Sequence, residues 1–256
     1  MKKILAIMMA VLMLVACFTG CGEDAGKKLT VATSPDFPPF EYYDDNNNVI
    51  GIEIEILKLV CEELGYELDL QTMNFDAVLT GVASNKYTVG ASGISVTPER
   101  QENMLFTDAY CLAAQAIVVK EGSAIASKAD LAGKKVSVQL GTTAQDYCTT
   151  NNYDVSSFEA NADAQTALVT DKVDAWVIDD LTAAEMVAAY NAENPDAKLV
   201  VLDEAMTTEP YAFALGFGNE ELVKELNTVL NKLVEDGKVA AIFEQYKAPY
   251  TSPKEA

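Results

Sequence analysis

The sequence predicts an α/β protein made of two similar units, each built around a mostly parallel sheet. Three observations carry this. Along 256 residues the apolar positions switch repeatedly between a spacing of two and a spacing of three to four, the alternation of strand and helix that parallel sheets require. The theme runs once through the first part of the chain and again after residue 112. Two extended apolar segments, residues 113–121 and 209–217, flank the second unit, as expected where a chain crosses into a second lobe and returns.

The elements follow in order. A polar tether, GEDAGKK (22–28), leads into a strand, KLTVAT (28–33). IEIEILKLVCEELG (52–65) carries Ile54, Leu57, Cys61 and Leu64 on one stripe and reads as an amphipathic helix. YELDLQT is a strand, FDAVLTGVAS a helix and YTVGAS (87–92) another strand. In SVTPER the strand pattern stops, Thr97 suits a helix N-cap and Pro98 the first helical position. After AAQAIVVKE (113–121) come a short helix near SKADLAG, the strand KVSVQ, a helix from Thr142 and the helix ADAQTALVTD (162–171). The strand DAWVI (174–178), the helix LTAAEMVAAYNAE (181–193) and the strand KLVVL complete the second unit. EPYAFALGF (209–217) returns extended, and the helices NEELVKELNTVLNKLVEDG and KVAAIFEQYK are expected to pack on the first unit.

Composition removes several classes of function. Eighteen Lys plus Arg against 39 Asp plus Glu give a net charge of −21, the wrong sign for a nucleic-acid partner. With no histidine, the usual general base and most transition-metal sites are gone. No cofactor and no metal is expected, and any catalysis would fall to carboxylates, Lys, Tyr or Cys. Cys61, Cys111 and Cys148 show no CxxC spacing; they read as buried free thiols, with a disulfide left open.

Residues 1–17 are expected to leave the fold. MKK is a positive start, and residues 4–16 form an apolar run of thirteen, short of the ~20 residues a membrane-spanning helix needs. The run ends in LVAC, which resembles the processing box of bacterial lipoproteins. Cys17 is preferred for lipidation because Leu14 stands where that box carries leucine. FTGC, ending at Cys21, is the second candidate, and an ordinary secretory signal is the alternative. Removing Lys2 and Lys3 leaves 16 positive and 39 acidic residues, a charge of −23, which keeps a tethered protein off anionic headgroups.

Arg100 is the only arginine; the other seventeen cations are lysines. It falls in the first turn of a helix, where positive charge opposes the dipole by a few tenths of a kcal/mol. A bound anion would reverse that cost, since free N–H groups and a guanidinium fork together receive carboxylate or phosphate. Pairing with a nearby Asp or Glu is the competing reading. QLGTTAQ (139–145) also follows a strand and opens a helix, with Thr142 and Thr143 offering N–H and hydroxyl groups; simple capping explains it equally well. Asp179 ends the DAWVI strand, the usual ligand position of open α/β sheets, or else caps a helix as Asp180 also can. An anion receptor divided between two units beside a carboxylate has the polarity of an α-amino acid.

FPPFEY (37–42), GIEIEIL, FDAVLTGV (75–82), SGISVTPERQENMLFTDAY (92–110), GTTA (141–144) and VIDD (177–180) resemble the family 3 bacterial extracellular solute-binding proteins over about residues 28–250. The resemblance implies a type II periplasmic-binding-protein fold, two α/β lobes on a two-strand hinge that close on ligand. Residues 1–17 would be signal peptide and lipobox, 18–28 tether, 29–112 plus 213–250 lobe one, 113–212 hinge segments and lobe two, and 251–256 a tail. It implies a monomer tethered outside the cell membrane by lipid, binding a free amino acid for an ABC transporter permease. Arg100, Thr143 and the Ser95 N–H would hold the ligand α-carboxylate. The Gly93 carbonyl and Asp179 would receive the α-amino group, and Phe37 and Phe75 would sandwich the side chain. Where relatives that bind cationic side chains often carry an acid, this chain has Ser34, which favours a polar or uncharged ligand, although Asp36 or Glu41 stand ready to compensate. Phe40 is assigned to the core. Two alternatives share the fold: a dehydratase-like enzyme using a cleft carboxylate, and a ligand-sensing receptor.

Overall fold

The computed structural model describes residues 27–255; the expected signal segment with Cys17 and Cys21 lies outside them. The first unit opens with β1 (Lys27–Thr33). A small antiparallel sheet follows that the sequence did not disclose: β2 (Asp36–Phe37), β3 (Glu41–Tyr43) and β4 (Val49–Ile50). Strands of two or three residues are too short to show a period. Gly51 turns the chain into α1 (Ile52–Leu64) at φ 137°, where a Cβ would lie 2.1 Å from the Phe40 carbonyl oxygen, so only glycine fits. α1 buries Ile54, Ile56, Leu57, Val60 and Cys61 and ends on Gly65 in the left-handed region.

β5 (Tyr66–Thr72) returns parallel to β1, setting Leu29 beside Leu68 and Val31 beside Leu70. Then come α2 (Phe75–Ala83), β6 (Val89–Gly90), α3 (Pro98–Gln101) and β7 (Leu105–Phe106). The strand expected over 87–92 thus shrinks to two residues, because the chain bends out of the sheet toward Gly93, which sits at φ 54°.

β8 (Cys111–Ala113) leads into β9 (Gln115–Lys120), β10 (Lys135–Gln139), α4 (Thr143–Thr150), β11 (Asp154–Phe158), α5 (Asn161–Val169), β12 (Ala175–Asp179), α6 (Asp180–Glu193) and β13 (Leu199–Val201). The polar strand β11 was missed in the sequence; its DVSSF has no apolar alternation to mark it. β14 (Glu209–Tyr211) and β15 (Ala214–Leu215) bring the chain back, and α7 (Glu220–Glu235) and α8 (Lys238–Gln245) follow. Leu226, Leu230 and Leu233 of α7 and Val239 and Phe243 of α8 join the core beneath α1, as the sequence leads one to expect.

The two five-stranded sheets have the orders β5-β1-β6-β15-β7 and β11-β10-β12-β9-β13. In each, a single strand runs against the rest, β15 in the first and β9 in the second. These are the strands that follow the crossing pair β8 and β14, an antiparallel ladder of Cys111 with Tyr211 and Ala113 with Glu209. The fold is mixed α/β with two sheet-containing lobes. Cys61, Cys111 and Cys148 are buried free thiols, and burial pushes Cys61 up to about 11 and Cys148 to about 12.

Candidate functional site

The strands of both lobes aim their carboxyl ends at one cleft, where open α/β sheets hold ligands. All eight residues singled out in the sequence line it: Ser34, Phe37, Phe75, Gly93, Ser95, Arg100, Thr143 and Asp179. Asp36, Ser92, Gln139 and Thr142 complete the walls. The free space between them is about 10 Å3, on the scale of one water, so the lobes stand closed on each other.

Arg100 is 9% exposed. The Thr97 hydroxyl accepts from its backbone N–H at 3.2 Å, the expected N-cap, with Pro98 in the first helical position. Its Nη1 donates to the Ser95 carbonyl at 2.9 Å, and Nη2 crosses the cleft to the Gly141 carbonyl at 3.1 Å. The guanidinium lies 5.6 Å from the Phe75 ring centre. Every ion pair among the described residues belongs to a lysine, so Arg100 has no carboxylate partner within 4.0 Å. The pairing alternative is not what the chain adopts. Burial draws the Arg100 pKa down, opposed by Glu209 and then Asp146 and Asp179.

Thr142 caps α4, accepting from the Gln145 N–H at 3.3 Å, which leaves Thr143 in the first turn with its N–H unclaimed by the helix. The Thr143 hydroxyl is already committed. It donates to Glu209 Oε2 at 2.7 Å and accepts from Gln115 Nε2 at 3.1 Å. The Ser95 hydroxyl donates to the same Glu209 oxygen at 2.6 Å, and the Thr207 hydroxyl donates to Oε1 at 2.7 Å. What Thr143 and Ser95 present to the cleft is therefore chiefly backbone N–H. The sequence reading missed Glu209; its one signal was an acid opening the apolar return segment EPYAFALGF.

Asp179 is the last residue of β12 and the N-cap of α6, yet its side chain makes no cap bond; the Leu181 N–H donates instead to the Asp180 carboxylate at 2.8 Å. Asp179 instead accepts from the Tyr211 hydroxyl. Burial, then the charge of Glu209, pushes it up to about 7. At Gly93 a Cβ would stand 2.6 Å from the Phe37 ring, so glycine lets the aromatic wall approach the backbone. Phe37 stacks on Phe40 at 5.7 Å, and Phe40 is fully buried, as assigned. At the far end the Ser34 hydroxyl donates to Asp36 at 3.0 Å. Asp36 also receives the Asn161 N–H at 2.9 Å and Gln139 Nε2 at 3.2 Å, both from the other lobe. Among the described residues no cluster of His, Cys, Asp or Glu is arranged to hold a metal ion.

Known proteins share this architecture. The arginine-binding extracellular protein ArtP of Bacillus subtilis is 31% identical over 249 residues, covering 93% of this chain and 95% of its own. An ancestral arginine-binding protein, solved with arginine and also with glutamine, superposes with a TM-score of 0.78 at 35% identity, over 86% of this chain and 97% of its own. An ancestral amino-acid-binding protein described as a precursor of cyclohexadienyl dehydratase superposes at 0.76, with 32% identity, over 86% of this chain and 95% of its own. With the family match running over residues 29–249, the chain belongs to the bacterial extracellular solute-binding proteins, family 3.

Proposed function

We propose that the protein captures a free α-amino acid between its lobes and delivers it to the permease of an ABC importer. The observation that carries this reading is a buried guanidinium without a carboxylate partner, across the cleft from Asp179, whose carboxyl burial pushes up to about 7. An α-carboxylate on Arg100 and the N–H groups of Ser95 and Thr143 meets a fixed positive site. An α-ammonium at the Gly93 carbonyl and Asp179 meets a carboxylate that ionises on contact. Phe37 and Phe75 flank the side chain. The lobes must part to admit such a ligand, so binding and reclosure are one event.

The reading extends to the ligand's side chain. Ser34 alone favours an uncharged group, but Asp36 lines the same end of the cleft. Around the site stand Asp36, Asp179 and Glu209 against the single cation Arg100, an excess of negative charge that a basic side chain balances. An arginine-like ligand is therefore placed first and a neutral polar one such as glutamine second, in keeping with what the relatives are named for. Calorimetric titration with L-arginine, L-lysine, L-citrulline and L-glutamine tests both. Citrulline matches arginine in shape without its charge, so arginine should bind at least about tenfold tighter, or about 1.4 kcal/mol. Equal affinity for citrulline restores the uncharged reading, and no binding of any of the four removes the amino-acid assignment. A dehydratase-like enzyme is the second reading, favoured by the neighbour described as a dehydratase precursor; product analysis after incubation with prephenate-like acids separates it. The lipid anchor belongs to the same proposal. Cys17→Ala should release the protein from the membrane, whereas release by Cys21→Ala alone moves the anchor to the second cysteine.

A further inference from the structure

Behind the cleft floor lie two carboxyl groups that do not themselves line the cleft. Glu41 opens β3 and Glu53 sits in the first turn of α1; both are 0% exposed. Glu41 accepts from Ser92 and Glu53 from Gly93, adjacent residues of the chain, so the two carboxyl groups lie close together and each perturbs the other's titration. The titratable groups that face the pair are Tyr110, Cys111 and Asp36, none of them cationic, and no lysine pairs with either acid among the described residues.

The partners distinguish the two groups. Both oxygens of Glu53 accept: Oε2 from the Gly93 N–H at 3.0 Å and Oε1 from the Tyr110 hydroxyl at 2.9 Å. Glu41 Oε1 accepts from the Ser92 hydroxyl at 2.9 Å, and that oxygen in turn accepts from the Ser34 N–H at 3.1 Å. Glu41 Oε2 is buried with no hydrogen-bond partner. An oxygen with nothing to accept is the one able to carry the proton, and an oxygen pair already receiving two donors is the one that stays ionised.

We infer that Glu41 and Glu53 share one proton, carried on Glu41 Oε2, and that the singly charged pair is the positioning device that holds Ser34, Ser92 and Gly93 in the cleft floor. The pair joins the chain leaving β1, the chain leaving β6 and the start of α1, three segments brought together only by the fold. Two full negative charges buried together without a cation are not tolerated. Burial is the first cause raising both groups, Glu53 to about 7 and Glu41 well above its ordinary value.

Both groups titrate near 4.5 when free. Above that value the folded chain retains protons that the unfolded chain has released, so stability is greatest below it and falls as pH rises toward and beyond about 7. Glu41→Gln replaces the shared O–H by an amide N–H donor and keeps the acceptor for Ser92; it should fold normally and flatten that fall. Glu53→Gln offers an amide N–H where an acceptor stood and should lower the melting temperature more at every pH. The spectroscopic signature is the infrared carbonyl stretch of a protonated carboxyl at about pH 8 in an Asp179→Asn background, present in the parent and lost in Glu41→Gln. For binding, affinity for L-arginine should drop about tenfold in Glu53→Gln. Absence of the protonated band, or its survival in Glu41→Gln, overturns the inference, as does a stability profile that Glu41→Gln leaves unchanged. The infrared and melting measurements stand without any ligand, so failure of L-arginine to bind would strike the ligand assignment and leave this one intact.

Discussion

The two walls of the cleft are built on different principles. On the first lobe the wall continues the core: Phe37 stacks on Phe40, Phe40 meets Tyr211 edge-on at 5.2 Å and Phe243 at 6.0 Å, and from behind Glu41 takes the Ser92 hydroxyl and Glu53 the Gly93 backbone N–H. On the second lobe the contributions are ends of elements, the first turn of α4 at Thr143 and the last residue of β12 at Asp179. Such ends present N–H groups and charge while carrying little of the apolar wall. On the proposed reading the first lobe is a packed template and the second a charge-bearing jaw, held against it by Arg100 to Gly141, by Asn161 and Gln139 to Asp36, and by Asn74 to Glu159 at 2.7 Å.

If that contrast holds, the largest loss of binding comes from the one charge that serves both walls. Arg100→Ala should cost about 3 to 5 kcal/mol, several hundredfold or more in Kd, with the fold intact by circular dichroism. Arg100→Lys should recover little, because an ammonium cannot copy the fork. Calorimetric titration of both variants decides; binding within threefold of the parent in Arg100→Ala would reduce the guanidinium to a structural tie between Ser95 and Gly141.

Asp179→Asn tests the jaw, with an expected loss of about 2 to 4 kcal/mol. Its pH dependence is the sharper measure. The free protein holds a proton on Asp179 below about 7, and an ammonium selects the ionised form. Affinity should therefore rise as pH increases toward about 7 and level off above it. Titrations from mildly acid to mildly alkaline pH should show that slope in the parent and none in Asp179→Asn.

A smaller effect is expected where the jaw merely latches. Asp36→Asn keeps the shape but weakens acceptance from Asn161 and Gln139, for a loss of about 1 to 2 kcal/mol. Solution scattering of the unliganded variant should show a larger radius than the parent. An unchanged radius means the other bridges suffice to close the lobes. Smallest of all, Phe37→Leu should cost about 1 kcal/mol in affinity, since a template wall retains most of its apolar contact. A loss as great as that of Asp179→Asn would show the aromatic face, rather than charge, to dominate recognition.

Much of this was legible before any fold was known. The caps at Thr97 and Thr142, the helix start at Pro98 and the stripe on α1 are encoded within a few residues each, so residue type and spacing reveal them. Of the eight cleft residues, Arg100, Thr143 and Asp179 were found through strand ends followed by helix starts, which keep their character wherever the chain folds, whereas Ser34, Phe37, Phe75, Gly93 and Ser95 came only with the family resemblance. The miniature sheet β2 to β4 and the polar strand β11 were hidden, because pairing partners rather than local pattern make them strands.

The sequence by itself determined an acidic, histidine-free α/β chain of two units with a lone arginine at a helix start, because charge, period and capping are local properties. Only the tertiary structure decided that Arg100 lacks an acidic partner, that Glu209 takes the hydroxyls of Ser95 and Thr143 from opposite lobes, and that Glu41 and Glu53 meet in the dark behind Gly93. Those facts join residues 114, 66 and 40 positions apart in the chain. At such separations strand register and lobe closure set the contact, and no spacing in the sequence records them.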